Sequence, residues 1–472
     1  MNFYRLVTAL VVLYPAWVTA AQSQTVSGVV VDTAGKPVSQ AQVVSGREQT
    51  LTGRDGRFRL KTSGAPTCSF SVLAGFGSAN IRLDTCPDTT IRIVVRRRVR
   101  GESSVGPRCG SRSMEPCTDR EGTRFIIISS GRSHSCGISV DSVAYCWGDG
   151  RSGQLGNGHR EVFRFPQRVL GDHHFASIEA GGAFTCARTA SGEVHCWGNE
   201  RTVPGWPHQA EGPVRVTLDQ SATSLAVGRR HACVLSADGR ASCWGWNVDG
   251  ETGTGTSGIT QSMVMKPTPV STQLRFASLS AGMGTTCGVT MDGGVACWGS
   301  NVDNVLGATA PERCADVGSV PCSTRPVSIT LPERIVQVSA GSGHACALGE
   351  QEGVYCWGAN RSGQAGVFRS GVPVVRTPTA VTLPVQGRVV SLSSGGIQTC
   401  ALTSARLVYC WGADNVSFGG DISGLDQVLP RLAADGRQFS AVSSGQVHIC
   451  AIDTGGRLRC WGDTILGALG VR

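Results

Sequence analysis

Residues 341–366 read GSGHACALGEQEGVYCWGANRSGQAG, and the chain returns to this pattern seven times. Each time a Cys is followed ten positions later by a second Cys that opens Cys-Trp-Gly. The pairs are Cys136/Cys146, Cys186/Cys196, Cys233/Cys243, Cys287/Cys297, Cys346/Cys356, Cys400/Cys410 and Cys450/Cys460. The tryptophans that follow (Trp147, Trp197, Trp244, Trp298, Trp357, Trp411 and Trp461) are spaced 50, 47, 54, 59, 54 and 50 residues apart. A constant inner spacing with a variable outer one describes a fixed hairpin joined by loops of different length. Gly192, Gly239, Gly293 and Gly456 stand six positions after the first Cys, where a tight β-turn needs a positive φ. Each Cys pair therefore faces across a hairpin, where opposed residues share one side of the ribbon.

An apolar stretch such as Ile335–Ala340 precedes each hairpin, and a turn such as Arg361–Gly366 follows it, before a Pro-containing strand such as Pro378–Leu383. About four short strands in every ~50 residues is the arithmetic of a propeller blade. The expectation is an all-β chain with a seven-bladed β-propeller over residues 105–472. The quoted residues resemble the regulator of chromosome condensation repeat family, whose pattern is nearly complete in Gly131–Gly156 and Gly341–Gly366. The resemblance implies a seven-bladed propeller and function through protein partners bound on a propeller face. Phe184, Thr285 and Gln398 stand where the family often has His, and blade two reads Val203-Pro204-Gly205-Trp206 in place of its usual turn. The segment Cys109–Cys117 mirrors Cys314–Cys322, each with eight-residue Cys spacing. On that register, residues 105–128 complete the blade begun by residues 440–472.

The N-terminal end is different. Residues 1–20 read as a secretory signal, with Arg5, a 13-residue apolar run from Leu6 to Val18, and Val18-Thr19-Ala20 as a cleavage pattern. That run is too short for a membrane span of ~20 residues. Residues 21–95 resemble the carboxypeptidase regulatory-like β-sandwich, with hairpins expected over Gly28–Val43 and Thr52–Leu60 and a staple between Cys68 and Cys86. Residues 96–104 form a basic linker around Arg96, Arg97, Arg98 and Arg100.

Twenty cysteines, all pairing locally, fit ten disulfides in an oxidising compartment and argue for a secreted or periplasmic protein. Zinc sites want Cys-x2–4-Cys spacing, which is absent here. The net charge of +9 is concentrated in residues 1–100, which hold 13 basic and 5 acidic residues, whereas residues 101–472 hold 30 and 29. A nucleic-acid binder carries its basic face on the main domain, so none is expected.

His134, His231, His344 and His448 recur two positions before a first Cys. A buried imidazole bonded to a neighbouring backbone carbonyl is preferred to a metal site in the channel. Asp172-His173-His174 reads as a solvated turn, the tryptophans as core, and Gly253–Gly258 as a loop, because no helix follows its G-x-G-x-x-G spacing. No nucleophile–base pair stands out, so neither an enzyme nor a cofactor is expected. The inserts that differ between blades are the places for binding; Phe163, Arg164, Phe165 and Trp206 are of the residue types enriched at hot spots. The expected function is a monomeric secreted interaction module for an extracellular or envelope protein. Polysaccharide binding in the envelope is the alternative, and guanine-nucleotide exchange a remote one.

Overall fold

The repeated Cys-Trp-Gly hairpin forms the second and third strands of seven antiparallel sheets arranged as blades around an axial channel. The computed structural model describes residues 24–32, 36–39, 42–45, 48–62, 68–74, 77–83, 91–95, 123–199, 210–314, 320–367, 371–383, 387–412, 430–433 and 436–462. The chain divides into two units, Met1–Val105 and Gly106–Arg472. Among the described residues no helix is long and apolar enough to cross a membrane.

The innermost strands of blades 1 to 7 are Phe125–Ser130, Phe175–Ala180, Ser224–Val227, Phe276–Ala281, Ile335–Ala340, Val389–Ser394 and Phe439–Ser444. Each pairs with the first hairpin strand, that with the second, and that with an outer strand, such as Val374–Ala380 in blade 5. Blade 4 gains a fifth strand, because Glu312–Cys314 pairs beyond Val320–Ile329 through the short Cys loop. Blade 7 has three strands among the described residues.

The ring closes through blade 1. Phe125–Ser130 is the inner strand of blade 1 and packs against blade 7, so residues 125–128 of the segment expected to complete blade 7 belong to blade 1 instead. The apolar run of Phe125 to Ile128 suits a buried inner strand, and residues 105–122 lie outside the described set.

Seven apolar clusters fill the wedges between consecutive blades. Each Cys-Trp-Gly tryptophan packs back onto the preceding blade, as Trp197 does against Cys136, Ile138 and Leu155. Trp147, Trp197, Trp244, Trp298, Trp357 and Trp411 are fully buried, while Trp461 in blade 7 is half-buried. The glycine after each tryptophan has φ between +96° and +122°, and in blades 1–5 it lies where the ladder to the outer strand shifts register. Such a backbone favours glycine and forms a β-bulge.

The opposed cysteines of each hairpin are cross-strand partners with Cα atoms 4.0–4.1 Å apart, close to a non-hydrogen-bonded antiparallel pair. Each pair is disulfide-bonded. In blades 1 to 3 the bonds are Cys136–Cys146, Cys186–Cys196 and Cys233–Cys243. In blades 4 to 7 they are Cys287–Cys297, Cys346–Cys356, Cys400–Cys410 and Cys450–Cys460. Cys314–Cys322 ties the extra strand of blade 4. Each bond stays within one blade, so the disulfides stiffen blades without linking them. Cys68 begins a strand of the first unit, whereas Cys86, Cys109 and Cys117 lie outside the described residues, so the pairs expected for Cys68/Cys86 and Cys109/Cys117 do too.

Among the described residues the first unit holds two sheets. Gln24–Asp32 pairs antiparallel with Arg57–Thr62 and parallel with Ile91–Val95. Gln42–Ser45 lies between Glu48–Leu51 and Cys68–Ala74, which pairs with Gly77–Leu83. The hairpin expected over Thr52–Leu60 is instead a corner: the strands before and after Gly53–Gly56 belong to different sheets. The expected first hairpin reduces to a single bridge between Val31 and Pro37. The signal segment and the Arg96–Arg100 run lie outside the described residues.

Candidate interaction face

The antiparallel order of each blade places two kinds of connection at each end of the channel. At one end, here the loop face, lie the turns leaving the inner strands and the long connections to the outer strands. At the other lie the short turns of the Cys hairpins and the links between blades.

The loop-face mouth is built from one turn per blade, beginning with Gly131, Gly181, Gly228, Gly282, Gly341, Gly395 and Gly445. The residue after each of these glycines donates its N–H to a backbone carbonyl of the next blade, at 2.9–3.2 Å. The belt runs from Arg132 through Gly182, Arg229, Met283, Ser342 and Gly396 to Gln446, which donates to Gly131 and closes the circle. A Cβ on any of the seven glycines would lie 2.1–2.6 Å from the next blade's glycine carbonyl oxygen. This close approach of adjacent backbones is the physical reason for glycine there.

Beneath the belt, hydroxyl groups link the inner strands. Ser129, Ser280, Ser339, Ser393 and Ser443 each accept an N–H from the next blade at 2.8–3.0 Å. Blade 2 carries Glu179 at this position. It accepts a hydrogen bond from Ser129 Oγ at 3.1 Å, and burial pushes its carboxyl up to about 7.

The four histidines also join blades, and their partner corrects the sequence expectation. His134, His231 and His344 direct Nε2 at the hydroxyls of Thr185, Thr286 and Thr399 in the following blade, 2.7–2.9 Å away. Each threonine donates its own proton to the carbonyl of Gln154, Glu251 or Gln364, so Nε2 is the donor to the hydroxyl. His448 meets Ser135 across the closing junction at 2.7 Å. Burial depresses His134 to about 3 and His231 and His344 to about 4, with His448 adding to the effect on His134.

Blades with Phe184, Thr285 or Gln398 in the histidine slot face Ala232, Ala345 or Ile449, which offer no hydroxyl. There Gln398 reaches the Gly445 carbonyl at 2.7 Å, and Thr285 donates to Ser300 within its own blade. The alternation was present in the residue after each slot, a signal sequence reading passed over. The histidines brace the ring and do not converge on the channel.

Three arginines crowd one side of the mouth. Arg132 and Arg229 line it directly, and Arg230 stacks its guanidinium 5.0 Å from the centre of the Trp246 ring. Burial, with Arg132 and Arg230 nearby, holds Arg229 below the usual arginine range. Elsewhere on this face cations are matched: Arg151 with Asp149, Arg160 with Glu211 and Arg361 with Asp303, at 2.7–2.8 Å, whereas exposed Arg164 and Arg376 on the outer strands have no ion pair among the described residues. Among the described residues Arg132, Arg229 and Arg230 have no such acidic partner. These three were missed because they occupy the variable places between fixed Gly and His.

Phe163, Arg164 and Phe165 lie on the outer strand Phe163–Arg168 of blade 1 rather than in an insert. Phe163 packs on the blade 1–2 core, and Arg164 is exposed. Trp206 is outside the described residues. Of the four nominated residues, Phe163, Arg164 and Phe165 are thus consecutive on one strand.

Asp172-His173-His174 is the solvent-exposed turn expected, with Asp172 and His174 exposed. Arg168 pairs with Asp172 at 3.1 Å, and the His173 ring lies 4.6 Å from that of buried His195. Gly253–Gly258 is a loop, followed only by the three-residue turn Ile259–Gln261. Glu312, Cys314 and Cys322 cluster among the described residues, but both sulfurs are in a disulfide and cannot ligate a metal.

A ring of seven antiparallel blades whose long, unequal connections all emerge on one face defines a seven-bladed β-propeller. Two models of the regulator of chromosome condensation (RCC1) repeat match residues 125–154, 222–251, 335–364 and 439–464, and residues 141–188 and 292–348, so these stretches are similar to that repeat. The chain is 26 % identical to the Arabidopsis thaliana ultraviolet-B receptor UVR8 over 362 residues, covering 66 % of this chain and 81 % of that one. It is 28 % identical to the mitochondrial RCC1 domain-containing protein RUG3 of the same plant, covering 64 % and 56 %. Yeast RCC1 (Prp20), solved bound to Kap60, shares the fold at a TM-score of 0.60 and 18 % identity, over 80 % of this chain and 88 % of that one.

Proposed function

We propose that this chain is an exported protein-interaction module that binds an extracellular or envelope protein on its loop face. The observation that carries the reading is the asymmetry between the two faces. The hairpin face repeats one short turn in every blade, whereas the loop face carries connections of unequal length around a mouth with unmatched arginines. Variation on a rigid scaffold is where recognition concentrates.

Export rests on the signal-like residues 1–20 and on the disulfides, which persist in oxidising compartments. The same chemistry sets the chain apart from a cytosolic exchange factor. The two sheets of residues 24–95 serve, on this reading, as a carboxypeptidase regulatory-like front module. Binding rather than catalysis is supported by the mouth, a depression of about 100 Å³, well below the ~300–1,000 Å³ of small-molecule sites.

The test is affinity capture from periplasmic and secreted extract with the mature, oxidised chain as bait. Two variants run beside it: Arg132→Gln/Arg361→Gln on the loop face and Arg334→Gln/Arg388→Gln on the hairpin face. A stoichiometric protein lost only with the first variant is the expected result. Loss with the hairpin-face variant alone, or capture of wall polysaccharide and no protein, overturns the reading.

A further inference from the structure

The unmatched arginines call for an anion. Arg132 and Arg229 occupy the same place in the turns of blades 1 and 3, and the intervening turn presents Gly182, which has no side chain to separate them. The backbone N–H groups at the second position of each turn are consumed by the belt, which leaves the guanidinium groups as the mouth's strong donors. The depression has room for one small anionic group and a few waters, not for a sugar ring or a nucleotide. Glu179 lies below, bonded to Ser129 and only partly ionised at neutral pH, so it offers limited repulsion.

We propose that the mouth receives a carboxylate from an acidic segment of a protein partner, seated between Arg132 and Arg229. This rests on the interaction-module reading and names the chemistry of its ligand. The planar fork of arginine matches a carboxylate in two parallel hydrogen bonds. Met283, 41 % exposed on the rim with its sulfur accepting a weak hydrogen bond from Arg229 Nη1 at 3.3 Å, and the Arg230–Trp246 stack offer apolar surface to the residues flanking the acid. A nucleic-acid backbone would need an extended basic stripe. Residues 101–472, with 30 basic against 29 acidic residues, do not supply one.

The probe is a fluorescein-labelled octapeptide of alternating glutamate and leucine, with its glutamine counterpart and inorganic sulfate as controls, read by anisotropy on the mature oxidised chain. The glutamate peptide is expected to bind at least about tenfold more tightly than the glutamine peptide, and to weaken as salt rises. Arg132→Gln/Arg229→Gln should remove that preference, while Arg334→Gln on the opposite face should retain it. Near-ultraviolet circular dichroism checks that each variant is folded. Sulfate should displace the peptide only at concentrations about a hundredfold higher.

Equal binding of both peptides, no binding to the wild-type chain, or an unaffected double variant overturns the inference. Displacement by equimolar sulfate overturns it too, in favour of a free small anion. If R132Q/R229Q still captures the stoichiometric partner, the carboxylate assignment fails while the interaction-module reading stands; if no protein is captured by any form, it is that reading that fails.

Discussion

Glu251 offers a sharp quantitative test of the repeat logic. It occupies the turn position held by Gln154 in blade 1 and Gln364 in blade 5, and all three side-chain oxygens accept the N–H two residues earlier at 2.8–2.9 Å. Unlike the glutamines it can ionise. Burial, with a contribution from Asp249 and against the pull of Arg230, pushes its carboxyl from 4.5 to about 8. The unfolded chain therefore releases this proton first as pH rises. The stability Glu251 contributes is complete below 4.5 and is lost progressively up to about 8. At 1.36 kcal/mol per unit, the loss is on the order of 4 kcal/mol at pH 7.5 and ~1.4 kcal/mol at pH 5.5. Glu251→Gln keeps the acceptor and removes the titration. For a unit of this size the variant should melt about 5 °C above wild type at pH 7.5 and about 2 °C above it at pH 5.5. Thermal unfolding of the oxidised chain followed by circular dichroism reads both. A gain equal at the two pH values, or a loss at pH 7.5, would refute the reasoning.

Other perturbations test other joints. The histidine braces carry the opposite pH sign: with His344 depressed to about 4, its contribution is full above 6.5 and fades as pH falls towards 4, by ~3 kcal/mol. His344→Gln, borrowing the residue used at Gln398, should therefore show a deficit at pH 7 that shrinks by pH 4.5 in the same melting assay. Gly282→Ala drives a Cβ to 2.1 Å from the Gly341 carbonyl oxygen and should cost about 3 kcal/mol, whereas Gly284→Ala meets only an ordinary contact at 3.5 Å. Arg406 holds φ of 63° at the turn position where four blades have glycine; Arg406→Gly should stabilise by roughly 1 kcal/mol, read from chemical denaturation. Replacing both Cys346 and Cys356 by Ala opens one short loop and should cost ~3 kcal/mol, with the propeller still folded by near-ultraviolet circular dichroism.

Much of the blade was legible because its determinants are local. The ten-residue Cys spacing set the hairpin register, and the positive φ expected six residues after the first Cys is present in all seven blades, on Ser142, Glu352 and Arg406 as well as on glycines. Junctions were less legible. His344 and Thr399 are 55 residues apart, and only the closed ring shows that they touch. The same holds for the Arg132–Arg229 cluster, whose members belong to blades 1 and 3. Phe163 and Phe165 read as loop residues because a strand at a blade's edge has the same composition as a loop; pairing to the Cys-Trp-Gly strand decides between them. In the first unit, the Gly53–Gly56 turn carries the usual hairpin residues but leads into a different sheet, a long-range choice that the turn itself does not encode.

The central claim is that recognition uses the loop face. Hydrogen exchange of the chain with and without its captured partner tests it most directly. The account expects slowed exchange in the turns at residues 131–133 and 228–230 and in the connections at 149–162 and 247–262. The hairpin turns at 190–193, 291–294 and 350–353 should be unchanged. Protection confined to those hairpin turns would contradict it.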